Sequence, residues 1–242
     1  MSNGPVMRYH GDSEEVRPLP SVIDEALRYL GAPDPETRDW LEALSEEAET
    51  RQAAQPRWVF AESPLSAVDG GFCLTRFGLT LTGCTAQRML ADCEAAALLV
   101  CTLGHGYDRL IRAAQARDMR RAVGLDALGS ALVEDACDRA EEELRSRHPG
   151  LYLTDRFSPG YGDLPLSLQP QLLAACDAPR RLGVTLTQSL LMLPQKSVSA
   201  VIGLSTRPQK AQIRGCAHCA MAQNCAYKSN GGCEAMNKSI QS

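Results

Sequence analysis

The chain has 242 residues, of which 44% are apolar and 22% are charged, and its formal net charge is −4. This composition is typical of a globular protein and excludes wholesale disorder and a coiled coil, and the acidic balance argues against a general nucleic-acid binder. No apolar stretch approaches the roughly 20 residues of a membrane span, and residues 1–20 hold no apolar signal core, so we expect a cytoplasmic protein with no membrane partner.

The first half of the chain is predicted to contain both helices and strands. Ser21–Leu30 has the pattern of a short amphipathic helix, and Asp34-Pro35 opens a second helix that runs to about Ala54. Ala95–Thr102 is an apolar run typical of a buried strand. The remaining elements predicted here are a strand at 58–61, two strands within 72–82 and a helix at 85–93.

Two further helices are predicted at 104–116 and 119–147. Asp126, Ser130 and Glu134 recur every four residues along the longer one and form a polar line on one side of it. The elements that follow are an extended segment at 152–155, a Gly- and Pro-rich loop at 158–170, a short helix at 172–177 and strands at 183–188 and 197–205. Because helices come early and strands recur, we predict an α+β fold.

Charge is distributed unevenly and suggests three parts. Residues 1–50 hold 12 acidic and 4 basic side chains, whereas residues 207–242 hold 5 basic and 1 acidic side chains. We therefore predict a helical N-terminal segment at 1–55, a central core at 56–206 and a small basic tail at 207–242.

The tail contains four of the ten cysteines, spaced Cys-x2-Cys-x5-Cys-x7-Cys. Four thiolates can bind a tetrahedral zinc ion or the corners of an iron–sulfur cluster, and the spacing does not choose between them. The alternative is a set of free thiols on a loose tail. The candidate metal ligands are Cys216, Cys219, Cys225 and Cys233.

Three other features carry candidate chemistry. The loop from Arg156 to Asp163 offers a guanidinium, an aromatic ring and glycines that let a ligand approach the backbone, although taken alone it is typical of a turn. Residues 104–109 imitate half of a dinucleotide-binding loop, and a strand-to-helix turn explains them better. The polar line of the long helix can face a cationic ligand or solvent, and the acidic residues at 135, 138 and 141–143 are expected on solvated surface.

Two motifs in order point to a family. Arg156, Gly160 and Tyr161 form an Arg-x-x-x-Gly-Tyr loop, and the segment from Leu186 to Ser199 reads LTQSLLMLPQKSVS. This combination resembles the activation domain of cobalamin-dependent methionine synthase, over roughly residues 90–205. The whole chain is similar to a free-standing version of that domain, found beside methionine synthases that lack their own.

The resemblance implies a function in reactivation. When the partner's cobalamin oxidises to the cob(II) state, an electron from a flavodoxin- or ferredoxin-type donor and a methyl group from S-adenosylmethionine restore methylcobalamin. The chain has no cobalamin-binding Asp-x-His-x-x-Gly motif, so cobalamin is expected on the partner. Whether the chain counts as an enzyme or as a methyltransferase component is left open.

The resemblance also assigns a site. Arg156 would hold the methionine carboxylate, and Glu134 would face the sulfonium or ammonium. The backbone of Ser158, Pro159 and Gly160 would line the adenosine and amino groups, with Tyr161 packed near the ligand. Two alternatives stay open, a metal-stabilised docking or regulatory module and an activator of a different corrinoid methyltransferase. The cysteine tail would then be an electron relay or a structural zinc site.

Overall fold

A computed structural model describes residues 8–12, 20–31 and 34–209, and of residues 8–12 the backbone alone. Its strands are β1 (Arg8–Asp12), β2 (Arg57–Val68), β3 (Gly71–Leu74), β4 (Leu79–Thr82), β5 (Ala95–Thr102), β6 (Tyr152–Leu153), β7 (Thr185–Leu186), β8 (Met192–Leu193) and β9 (Ser197–Ser205). Its helices are α1 (Pro20–Leu30), α2 (Pro35–Glu46), α3 (Ala48–Ala53), α4 (Cys84–Leu90), α5 (His105–Gln115), α6 (Met119–Arg147), α7 (Gln169–Cys176) and α8 (Ala178–Leu182).

Seven of these strands form one antiparallel sheet, in which six follow the order β4-β3-β2-β5-β9-β6 and the seventh, β1, pairs with β2. The long strand β2 pairs with β5 along one edge, and its other edge pairs first with β1 and then with β3. β7 and β8 form a separate two-stranded hairpin. The predicted α+β class is confirmed.

The central strands are buried on both faces, which explains why they are apolar without interruption. In β5, Ala97, Leu99 and Cys101 face the core that contains α1, α2, α5 and α6. The intervening Ala96, Leu98 and Val100 face a second core, formed with α4, α7 and α8. Helices therefore cover both faces of the sheet, and the N-terminal helical segment packs on the same sheet as the rest of the chain.

Local chemistry explains where the helices begin and end. The side chain of Asp34 accepts a hydrogen bond from Thr37 N at 2.8 Å, and Pro35 occupies the first turn, as the sequence predicts for α2. The prediction of one helix to Ala54 is wrong, because Glu47 has extended backbone (ψ 136°) and separates α2 from α3. β1, α8 and β8 were not predicted, and α6 has the predicted bounds.

The serines of the LTQSLLMLPQKSVS segment stabilise the interior. Ser197 is 9% exposed and donates to Pro194 O at 2.8 Å, and Ser199 is 3% exposed and donates to the Gln169 side chain at 3.0 Å. These bonds satisfy polar groups that burial would otherwise leave unpaired. The segment thus forms the β7–β8 hairpin and the start of β9.

Some predictions concern residues that the structure does not describe. The four tail cysteines, Cys216, Cys219, Cys225 and Cys233, lie outside the described residues, so their metal site stays a prediction. Within the described ranges, no three His, Cys, Asp or Glu side chains are grouped so as to hold a metal ion. None of the helices described there is both long and apolar enough to cross a bilayer.

Candidate functional site

The site begins where the chain runs beside the edge of β9. Phe157 forms a bridge with Val201, with N–H···O distances of 3.0 and 2.8 Å, and Thr154 N bonds Gly203 O at 3.0 Å. In extended backbone neighbouring side chains point to opposite faces. Phe157 is accordingly buried in the core with α4 and α7, whereas Arg156 points to α6 on the other face.

Arg156 is the centre of an ion cluster. Its side chain is 9% exposed and pairs with three carboxylates of α6, those of Glu134, Asp138 and Glu141, with Asp138 at 2.6 Å. Three carboxylates around one guanidinium leave two negative charges in excess. The cluster therefore anchors the loop to α6 and keeps a local field that favours cations.

Buried neighbours hold the cluster in one protonation state. Burial alone would lower the pKa of Arg156, but the negative charges around it, among them the carboxylates of Glu141, Glu134 and Asp138, more than offset that effect, so the pKa is raised and the guanidinium stays charged. The hydrogen bond with Cys101, together with burial, raises the pKa of Cys137. Cys137 therefore remains a neutral thiol beneath the ion cluster.

The loop after Phe157 is folded on itself. Gly160 N donates to Leu164 O at 2.8 Å, and Tyr161 N donates to Ser158 O at 3.1 Å. Gly160 has a φ of 87°, a conformation that favours glycine. Pro159 is buried and Tyr161 is 46% exposed, so the tip of the loop presents an aromatic ring at the surface.

The polar line on α6 continues towards the start of that helix. Lys196, at 9% exposure, pairs with Asp126 at 2.8 Å and donates to Ser130 Oγ at 2.9 Å. Asp126 and Ser130 also line a cleft of about 420 Å³ between α1 and α6. Burial first, and then the charge of Glu134, raises the pKa of Tyr29, which lines the same cleft.

An unpaired strand edge lies between the loop and α6. Beyond the Phe157–Val201 bridge, no strand of the described chain pairs with residues 197–200 on the side opposite β5. We therefore take this edge, together with Glu134 on α6 and loop residues 158–162, as the candidate site, called the groove below.

The structure brings most of the predicted residues together. Arg156 and Glu134 form an ion pair, and Ser158, Pro159, Gly160 and Tyr161 form the adjoining loop. Asp138 is 60% exposed, as predicted, although it also pairs with Arg156, whereas the interpretation of Glu141 and Glu143 as solvated surface is wrong. Asp138 and Glu141 bind Arg156, and Glu143 accepts the Trp58 indole N–H at 2.7 Å.

The sequence contained a signal for the missed carboxylates. Glu134, Asp138 and Glu141 are spaced i, i+4, i+7, the spacing of one helix face. Asp163, which binds the start of α4, and the buried Lys196 were also missed, and no local pattern marks them. The half-motif at 104–109 lies where the chain passes from strand β5 to helix α5, as predicted, and its residues 105–109 already belong to α5.

Comparison with known proteins decides the family. The sequence model of the vitamin B12 dependent methionine synthase activation domain matches residues 84–229. The chain belongs to this family. The match includes Arg156, Gly160, Tyr161 and the LTQSLLMLPQKSVS segment, and it extends past residue 206 into the cysteine-containing tail.

A solved structure shares the fold. The activation domain resembles a crystal structure of the MetH reactivation domain bound to AdoHcy, with a TM-score of 0.60 and 16% sequence identity. The similarity covers 86% of this chain and 81% of that one. No curated protein matches the chain.

Proposed function

We propose that this activation domain binds S-adenosylmethionine in the groove beside β9 and supports reductive methylation of cob(II)alamin on a partner methionine synthase. The partner would carry cobalamin and lack its own activation domain, and a flavodoxin- or ferredoxin-type protein would supply the electron in the cytoplasm. The observation that carries the proposal is the Arg156 cluster, which lies beside the Arg-x-x-x-Gly-Tyr loop in a chain of this family. The related structure with bound AdoHcy supports the ligand class.

The charges of the groove suit this ligand. S-adenosylmethionine bears an ammonium, a sulfonium and a carboxylate. The excess carboxylates around Arg156 favour the two cations. Glu141 is only 10% exposed, whereas Glu134 and Asp138 are 39% and 60% exposed and can face the ligand, and the family resemblance selects Glu134. The ligand carboxylate would bind Arg156 by sharing the guanidinium with these acids, since one guanidinium carries five N–H donors.

The backbone of the loop suits the remaining groups. The N–H groups of Gly160 and Tyr161 already donate within the loop. The loop therefore meets a ligand mainly with carbonyl oxygens, which accept from the ammonium and from the adenine amino group. The half-exposed ring of Tyr161 offers a face for the ligand.

The role of the chain in the reaction is positioning. On the partner, cobalamin accepts one electron and supplies the cobalt nucleophile that takes the methyl group, and S-adenosylhomocysteine leaves. No side chain of the activation domain has to act as a general base. Its contribution is to hold the sulfonium methyl at the open edge of β9, where a partner can reach it.

Isothermal titration with S-adenosylmethionine tests the binding step. Glu134→Gln should weaken binding about tenfold, because it removes one charge that faces the ligand's cations. Glu142→Gln is the matched control, since Glu142 lies on the same helix, is 73% exposed and pairs with Arg145. A wild type that does not bind, or equal affinities for Glu134→Gln and wild type, would refute the assignment.

A second experiment tests the partner. The activation domain is mixed with the corrinoid protein in the cob(II) state, a reductant and S-adenosylmethionine, and methylcobalamin is followed by its absorption spectrum. We expect methylcobalamin only when all components are present. Ligand binding without methylation of a methionine synthase would instead favour another corrinoid partner, and capture of a partner without ligand binding would favour a docking module.

A further inference from the structure

Asp163 connects the loop of the candidate site to the start of α4. Its carboxylate accepts hydrogen bonds from the backbone N–H groups of Cys84 and Thr85, the latter at 2.9 Å. These residues begin α4, whose N-cap Gly83 supplies no side-chain bond of its own. Asp163 therefore satisfies helix donors that would otherwise lack a partner, from a position 78 residues away in sequence.

Two glycines allow this contact. A Cβ atom at Gly83 would lie 2.7 Å from the Asp163 carboxylate, and one at Gly162 would lie 2.7 Å from Thr85 Oγ1. Both glycines have positive φ, 108° and 60°. The backbone on each side is thus shaped for close approach of the loop to the start of α4.

The carboxylate stays ionised in this position. Hydrogen bonds from the Thr85 side chain, the Thr85 N–H and the Cys84 N–H lower the pKa of Asp163 to about 2. The contact is therefore present at every pH at which the protein is expected to work.

We propose that Asp163 is a positioning residue that holds residues 158–162 in their ligand-binding conformation. This inference rests on the proposed function, because it assigns Asp163 to the same S-adenosylmethionine groove. Asp163 itself does not contact the ligand. It acts through the loop, whose carbonyl groups do.

The other loop contacts show why this one matters. Before the loop, Phe157 is fixed to β9, and after it Leu164 is 1% exposed in the core with α4 and α7. The hydrogen bonds of Gly160, Tyr161 and Leu164 join the loop to itself. In the part of the chain that the structure describes, the hydrogen bonds of Asp163 to Cys84 and Thr85 join the loop tip to a helix, so its loss frees the tip to leave the groove.

The expected effect is on affinity. If Asp163→Ala lowers the population of the binding conformation to about a tenth, the apparent Kd for S-adenosylmethionine rises about tenfold. The Kd of Asp163→Asn, which keeps one acceptor oxygen, should lie between those of the wild type and Asp163→Ala. Asp34→Ala is the matched control, because Asp34 is an exposed carboxylate that caps α2 through Thr37 N and lies outside the groove.

Calorimetric titration, thermal melting and amide hydrogen exchange on the full chain separate the outcomes. We expect Asp163→Ala to weaken binding of S-adenosylmethionine and to speed amide exchange at Cys84 and Thr85. The exchange rates of the β9 amides should change less. We expect Asp34→Ala to lower Tm without changing Kd. A Kd for Asp163→Ala equal to that of the wild type overturns the proposal, whatever happens to Tm.

Failure of the proposed function looks different. If the wild type does not bind S-adenosylmethionine, the role of Asp163 in affinity falls with the proposed ligand. Faster exchange at Gly160 and Tyr161, whose N–H groups donate within the loop, would still show that Asp163 holds the loop.

Discussion

Replacing Arg156 by methionine tests the ion cluster directly, because the change keeps an unbranched side chain and removes the charge. Arg156 and Glu141 are both about nine-tenths buried, with side-chain exposures of 9% and 10%. Without the guanidinium, three carboxylates face one another and one of them is buried. We expect the variant to fold but to be markedly less stable than wild type.

The magnitude follows from burial. Removing one partner of a buried ion pair costs about 3–5 kcal/mol, whereas an exposed pair is worth about 0–1 kcal/mol. Arg145→Met is the matched control, since Arg145 is 52% exposed and pairs with the 73% exposed Glu142. The double variant Arg156→Met/Glu141→Gln should recover part of the loss, because it removes one of the unpaired charges.

Urea unfolding at pH 7 and 25 °C measures these differences in the free energy of unfolding, with equal slopes as the check that the transitions are comparable. Crowded carboxylates bind protons more readily in the folded than in the unfolded variant, so its deficit should shrink as the pH falls from 7 to 5. A loss below about 1 kcal/mol, or a loss equal to that of Arg145→Met, would refute the reasoning.

Three further outcomes are expected. Gly129→Ala should cost about 1–3 kcal/mol in urea unfolding, because its Cβ would lie 2.5 Å from the buried ring of Tyr107; an unchanged midpoint would contradict the packing. The pKa of Asp163 lies at about 2, below its usual 3.8. Its contribution to the stability of the folded state is therefore present above pH 4 and disappears as the pH falls from about 4 to 2. The stability of Asp163→Asn should not show this loss between about pH 4 and 2, and an acid unfolding profile identical to that of the wild type would contradict the proposed contribution of Asp163. Anaerobically purified protein should contain zinc, or iron and sulfide with a broad visible absorption band, and Ser substitution of the tail cysteines should remove it; metal-free protein would disprove the predicted site, whose ligands are Cys216, Cys219, Cys225 and Cys233.

Much of the fold was predictable because the elements that carry it are long and regular. The helix α6 and the buried strand β5 have the bounds that their patterns predicted. The short strand β1 exists through pairing with β2, a partner distant in sequence, so local sequence says little about it.

The residues of the candidate site also fall into two groups, those predicted from the sequence and those that only the fold brings together. Arg156 was predicted from the Arg-x-x-x-Gly-Tyr motif and Glu134 from the family resemblance, and the structure places the two side chains in contact. Glu141 was missed because a run of acidic residues near a helix end usually faces solvent, and only the fold brings Arg156 to that turn of α6. Asp163 depends on the approach of two segments 78 residues apart, which no local pattern encodes.

The opposite directions of Arg156 and Phe157 limit how this segment can vary. A deletion or insertion of one residue between Thr154 and Phe157 would exchange the two faces, placing a guanidinium in an apolar core and a phenyl ring among carboxylates. Beyond the bridge to Val201 no such alternation applies. Length changes in the loop tip should therefore leave the fold intact, although they would alter the proposed ligand site, whereas length changes before Phe157 should prevent folding. A deletion library across 150–165, screened for folded protein, would show a sharp boundary at Phe157.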